Sequence, residues 1–284
     1  MYSPRRQPLS LHPEGMEPRP RKQFAQHWLK SDKALNQIIK AASLNKCDRV
    51  LEIGSGTGIL TRRLLPLAQS VVAVEIDRDL CQLLTKQLGR NENFLLLQGD
   101  ILSLNLADHL THFPAFQKPN KVVANIPYNI TGPILEKLLG TIANPAPEQF
   151  DCIVLLVQKE VAERLYAQPG SRAFGALSVR VQYLAECELI CPVPAEYFYP
   201  QPKVDSAVVR LRPRQLSRVC LDPHRFETLV KLGFAAKRKM LRNNLKGIVD
   251  RDHLTQLLEQ LEVNPQARAE DLSVAQWVSL ANEL

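Results

Sequence analysis

Asn125-Ile126-Pro127-Tyr128-Asn129 joins an amide, a rigid imino acid and an aromatic ring directly after the apolar run 121–124. Such a set can grip a flat base and act on its exocyclic amine. The lone pair of an adenine N6 is delocalised into the ring, so that amine is a poor nucleophile. Two acceptors aimed at its N–H bonds, the Asn125 side-chain oxygen and a backbone carbonyl near Pro127, pull the nitrogen toward a tetrahedral form. They also stabilise the positive charge that develops as a methyl group arrives. A base stacked on Tyr128 gains roughly 1–3 kcal/mol. Asn and Pro are equally ordinary turn residues, so this motif alone does not separate a reactive site from a strand-to-turn junction.

Three upstream signals separate them. Glu52-Ile53-Gly54-Ser55-Gly56-Thr57-Gly58 follows an apolar run and opens a helix; glycines there let backbone N–H groups approach a ligand closely. The spacing is G-x-G-x-G, not the G-x-G-x-x-G of dinucleotide folds. Glu75 ends the next apolar run, where a carboxylate can accept both hydroxyls of a ribose. A nicotinamide cofactor would satisfy that feature equally. Asp100, in Gln98-Gly99-Asp100, closes a third run at a position suited to an adenine amine. Glycine or polar groups at four successive strand ends favour a methyl-donor crevice.

Positioning these groups takes alternating strands and helices. The apolar runs 49–53, 70–76, 93–98, 121–125 and 151–157 predict strands, and 59–67, 79–88, 132–139 and 158–167 predict helices between them. Continuous apolar strands separated by helices imply a parallel sheet covered on both faces. A helix over 31–42 precedes them, capped by Ser31 or Asp32. A helix follows Phe174, and strands 187–191 and 206–211 flank a proline-rich loop as an antiparallel pair. From Asp222 the pattern is helical: 225–235, 239–246, 252–261 and 274–282. The organisation expected is a basic disordered tail over 1–22 with five prolines, an α/β domain over 23–213 and a helical domain over 214–284.

A hydrophobic content of 45% and charged content of 23% belong to a globular chain. Its net charge is +7, but 203–251 alone holds 13 Lys/Arg against four acids. That concentration favours a nucleic acid over an anionic membrane as partner. Within 231–246, Leu232, Phe234, Ala235, Leu241 and Leu245 can pack, leaving Lys237, Arg238, Lys239, Arg242 and Lys246 as candidate phosphate contacts. The six cysteines form no C-x-x-C pair, and neither they nor His109 and His112 complete a metal set. Reduced thiols in a cytoplasmic protein are expected, with no metal. No run approaches the roughly 18 apolar residues of a membrane span.

On these motifs the chain resembles the small-subunit ribosomal RNA adenine dimethyltransferases, the kasugamycin-sensitivity methyltransferase family. The likeness covers 22–284. Beyond the motifs above it includes Phe24-Ala-Gln-His-Trp-Leu29, Gln158-Lys159-Glu160, the stretch 193–206 (VPAEYFYPQPKVDS) and the stretch 234–245 (FAAKRKMLRNNL). The last two are specific, since a generic methyltransferase needs neither. The resemblance implies a class I, Rossmann-like methyltransferase with a mostly parallel seven-stranded sheet and a small C-terminal all-helical, RNA-binding domain. It implies S-adenosylmethionine as co-substrate, held by His27, Leu29, Gly54, Glu75, Asp100 and Asn125, with Gly56 and Gly58 completing the loop. Asn125, Pro127 and Tyr128 would act on the target adenine, and Phe198 would stack on its other face or merely anchor its loop. Ala25, His27 and Trp28 depart from the commonest form of the first motif, which has Gly, Asn and Phe. The implied reaction is N6,N6-dimethylation of two adjacent adenosines in the 3′-terminal hairpin of 16S rRNA, within an assembling 30S particle, by a monomer. Alternatives are a large-subunit rRNA adenine methylase and a non-catalytic assembly factor.

Overall fold

The strands of the central sheet carry apolar side chains on both faces, and the chain covers both with helices. The computed structural model describes residues 19–147, 150–214 and 220–284. The elements run β1 (Trp28–Leu29), α1 (Asp32–Ala42), β2 (Arg49–Ile53), α2 (Thr61–Leu64), β3 (Ser70–Glu75), α3 (Arg78–Leu88), β4 (Phe94–Gln98) and α4 (Leu106–Leu110). Then follow β5 (Lys121–Asn125), α5 (Thr131–Leu139), β6 (Cys152–Gln158), α6 (Lys159–Tyr166), α7 (Ala176–Leu184), β7 (Ala185–Val193), β8 (Phe198–Tyr199) and β9 (Ser206–Pro213). Helices α8 (Pro223–Gly233), α9 (Leu241–Asn244), α10 (Arg251–Gln260) and α11 (Val274–Glu283) complete the chain.

The main sheet has the order β4-β3-β2-β5-β6-β9-β7. Pairing is parallel from β4 to β6 and antiparallel on both sides of β9. All of β3 is buried, as strands covered on both sides must be. The chain winds from β2 outward through β3 and β4, then returns to the other side of β2 with β5. Strand order reverses there, and ligands of open α/β sheets bind beyond the carboxyl ends at such a point.

One face of the sheet packs on α1, which buries Ala34, Leu35, Ile38, Ala41 and Ala42 and is capped by Ser31 accepting from the Ala34 N–H. The other face carries a core that continues through α6 and α7 into the C-terminal helices. Tyr183 of α7 meets Phe226 of α8 edge-on at 5.1 Å. Gly233 is needed where α8 meets α11: a Cβ there would lie 2.5 Å from Trp277 Cη2, and Trp277 is fully buried. Among the described residues, no helix is long and apolar enough to cross a membrane.

Three expectations change. The helix expected over 59–67 contracts to the four residues of α2, since Pro66 cannot continue it. The helix expected over 239–246 is only α9, because Asn244 Nδ2 donates to the carbonyls of Gly233 and Ala236 and folds the chain back. The expected tail lies outside the described residues up to residue 18. Arg21, placed at its end, is fixed instead by ion pairs with Asp77, at 3.2 Å, and Asp79. The small strands β1 and β8 pair antiparallel; two-residue strands carry no periodicity to read.

Candidate functional site

Past the carboxyl ends of β2, β3, β4 and β5 lies a crevice of about 710 Å³, its open mouth included. Its wall includes Gly54, Gly56, Glu75, Asp100, Asn125, Pro127 and Tyr128, so the four strand ends singled out in the sequence converge there. Gly54 and Gly56 have φ of +72° and +56°, the left-handed region that glycine reaches freely.

Glu75 organises the loop. Its Oε2 accepts from the Gly56 N–H at 2.8 Å, and its Oε1 accepts from the N–H groups of Ile76 and Asp77 at 3.0 Å each. Burial pushes the Glu75 carboxyl up from its ordinary value; the three N–H bonds oppose that shift. A carboxylate offers about four lone-pair positions, so one remains for a hydroxyl. Asp100 Oδ1 accepts from Leu102 N–H at 2.9 Å, which fixes its turn. Beside these acids the wall is apolar, with Ile53, Val74, Ile101 and Ile126 in it and Ile76 at 44% exposure. An acid with room for one hydroxyl and another for an amine, with aliphatic faces between them, suit an adenosine.

At the β5 end, Asn125 Nδ2 donates to the His27 carbonyl at 3.1 Å. Its Oδ1 makes no bond among the described residues and is the acceptor left for an amine. Tyr128 donates to, or accepts from, Ser206 Oγ at 2.6 Å. Burial raises the Tyr128 phenol above its usual value and this bond partly opposes it, so the ring is a neutral stacking surface. His27 lies near-parallel to it, with centroids 5.6 Å apart and planes at 16°. A carbonyl oxygen only accepts, so His27 Nδ1, 2.6 Å from Pro200 O, carries the hydrogen.

The ribosomal RNA adenine dimethylase family model matches residues 18–284. The chain belongs to this family. Ribosomal RNA small subunit methyltransferase A of Nostoc punctiforme is 74% identical over 272 residues, covering 94% of this chain and 95% of that one. The same-named protein of Rippkaea orientalis is 64% identical, over 94% and 98%. Among solved structures, a dimethyladenosine transferase from Plasmodium falciparum superposes with a TM-score of 0.74 at 29% identity, covering 89% of this chain and 95% of that chain. The 23S rRNA methyltransferase ErmE gives 0.70 at 28% identity, over 90% and 99%. Both folds therefore fit the backbone closely, and sequence identity separates the small-subunit relatives.

Three residues expected at the site do not line this crevice, although Leu29 lines the smaller pocket that adjoins it with Gly54, Gly56 and Asn125. Leu29 is 2% exposed and packs in the core with α1. Phe198 pairs with it across β1 and β8 and is 4% exposed. Strand alternation turns Phe198 inward, so its ring is not part of the crevice wall, and the ring beside Tyr128 is His27. Gly58 also lies outside the wall; with φ of +78°, it lets the loop lie against α3, where a Cβ would come within 2.7 Å of Leu84.

The sequence reading missed the strap over the crevice. Gln26 Nε2 donates to Asp77 Oδ2 at 3.0 Å, Arg21 pairs with the same carboxylate, and Phe24 through Trp28 line the opening. Asp77 is the N-cap of α3, and its partners lie some fifty residues upstream. Of the basic candidates, Lys237, Arg238, Lys239 and Lys246 are exposed and Arg242 is half-buried. Lys237 is partly engaged, donating to the Arg172 carbonyl and lying 3.6 Å from Glu270.

Proposed function

We infer that this chain transfers methyl groups from S-adenosylmethionine to N6 of two adjacent adenosines near the 3′ end of small-subunit rRNA. The observation that carries the reading is the crevice itself: Glu75, Asp100 and Asn125 on three strand ends around one glycine loop, with Tyr128 at its edge. The curated relatives bear the small-subunit name at 74% identity over nearly their whole length, which favours that substrate over large-subunit rRNA.

The donor set fits S-adenosylmethionine. Glu75 would take the ribose, Asp100 the adenine amine, and Gly54, Gly56 and His27 would lie toward the methionine end. When bound, that co-substrate supplies an activated methyl group. Asn125 Oδ1 and the backbone near Pro127 would orient the target N6 and offset its developing charge. Tyr128 would hold the base flat, and the strap from Arg21 to Trp28 would exclude water, so alignment carries the rate. We assign residues 214–284 to RNA binding through the exposed cations Arg238, Lys239 and Lys246, with Arg242 and Lys237 beside them. The unit division at 213/214, the monomeric state, the assembling 30S particle as substrate and a cytoplasmic location belong to the same proposal.

The test is a competition. The purified chain, with labelled methyl donor, receives small-subunit particles lacking adenine dimethylation together with large-subunit rRNA. Label recovered as dimethyladenosine from the small-subunit RNA supports the reading. Label confined to large-subunit RNA assigns the other substrate, and donor binding without transfer assigns a non-catalytic role.

A further inference from the structure

Tyr199 stands just outside the crevice wall and takes no part in the methyl transfer inferred for this chain. We propose that Tyr199 and Lys30 form a stacking subsite for a nucleotide that flanks the target adenine; the proposal rests on that RNA-directed activity.

Strand alternation makes the subsite. In the β1–β8 pair, Phe198 opposes Leu29 and both turn inward, whereas Tyr199 opposes Trp28 and turns outward. Tyr199 is 51% exposed, and its hydroxyl makes no hydrogen bond among the described residues. The Lys30 ammonium lies 4.4 Å from its ring centroid, and the Trp28 ring lies 6.5 Å away at 46°. The Lys30 N–H donates to Tyr197 O at 2.7 Å, so the backbone carrying the ammonium is fixed. The cation covers one face of the half-exposed ring, so a nucleotide would place its base on the ring's remaining open surface and its phosphate toward the cation.

Placement relates this pair to the reaction. The next residue, Pro200, holds His27 through its carbonyl, and His27 lies against Tyr128. Tyr199 is therefore one residue from Pro200, and Lys30 three residues from His27, the ring facing Tyr128. A strand of RNA delivering an adenine to Tyr128 would present its neighbour to Tyr199. Stacking tolerates any base, so the subsite would position the strand without reading its sequence.

The experiment measures KM and kcat on undermethylated small-subunit particles, and donor Kd by calorimetry, for wild type, Tyr199→Ala, Tyr199→Leu and Tyr199→Phe. The expected result is a particle KM raised roughly 5- to 150-fold in the Ala and Leu variants, the span of one base–aromatic stack. Phe should stay near wild type, and kcat and donor Kd should hold in all four. Lys30→Ala should raise KM less, and the difference should vanish at high salt. An unchanged KM in Tyr199→Ala overturns the subsite, as does a wild-type KM in Tyr199→Leu, which would mean simple packing. A donor Kd that worsens in step with KM also overturns it, since Tyr199 would then only brace Trp28. Failure of the wild type to methylate the particle is a different result: it removes the inferred activity, and the subsite's ligand with it.

Discussion

Replacing Asn125 with Asp tests how the amide is oriented, on which the proposed chemistry depends. The Asn125 Nδ2 donates to the His27 carbonyl at 3.1 Å. In Asn125→Asp an oxygen takes that place, so the bond is lost and two acceptors face each other. A net bond contributes about 0.5–1.5 kcal/mol, and an acceptor left unpaired costs about 1–3 kcal/mol. His27 is only half-buried, so solvent relieves part of the second figure and the sum is about 2–3 kcal/mol. That loosens β1 by roughly 30- to 150-fold. The reporter is the Lys30 amide, bonded to Tyr197 O, whose hydrogen exchange should accelerate by that order. The same variant should alter the product. A carboxylate makes charge-assisted bonds to both N–H groups of an unmodified amine, and loses more than a neutral amide does when one N–H becomes N–CH3. Chromatography of the digested RNA should therefore give a higher ratio of monomethyl- to dimethyladenosine than wild type. Wild-type protection at Lys30 together with a wild-type product ratio would refute the reasoning.

Tyr128→Ala should lower methyl transfer at least about fivefold while leaving donor affinity unchanged by calorimetry, since one base stack is worth roughly 1–3 kcal/mol; an equal fall in donor affinity would place Tyr128 on the donor. Gly58→Ala adds a Cβ 2.7 Å from Leu84 at φ +78°, combining left-handed strain of about 1–2 kcal/mol with overpacking of about 1–3 kcal/mol. Denaturant unfolding should lose about 3 kcal/mol, against about 1 kcal/mol for Gly54→Ala, whose Cβ meets its neighbours at 3.6 Å. Burial pushes the Glu52 carboxyl up from 4.5 to about 8. Its contribution to stability is therefore full below pH 4.5 and is lost as pH rises to about 8, a few kcal/mol in all. Glu52→Gln should flatten stability across that window, and an unchanged pH profile would contradict the assignment. Removing Arg238, Lys239 and Lys246 together should weaken RNA binding and reduce the slope of log K against log salt by about 0.7–0.9 for each lost phosphate contact. An unchanged slope would place the RNA elsewhere.

The sheet was legible because buried parallel strands announce themselves as unbroken apolar runs, and β2, β3, β5 and β6 fall within a residue or two of their expected bounds. The crevice was legible because each contributor ends a strand: Gly54, Glu75, Asp100 and Asn125 need only the parallel order to converge. What escaped the sequence depends on contacts across long separations. Phe198 reads as an available aromatic until β8 pairs with β1 and turns it inward. Arg21 reads as tail, and Gln26 as a motif residue with no assigned partner, until Asp77 captures them. Four-residue α9 reads as a longer helix because helix propensity does not register the bonds from Asn244 to Gly233 and Ala236.

The most direct test of the central claim is mass spectrometry of the 3′-terminal rRNA fragment after undermethylated small-subunit particles meet the purified chain and S-adenosylmethionine. The account predicts two adjacent dimethyladenosines in that fragment, and their loss in Tyr128→Ala. A fragment that stays unmodified while the chain binds the donor would contradict it.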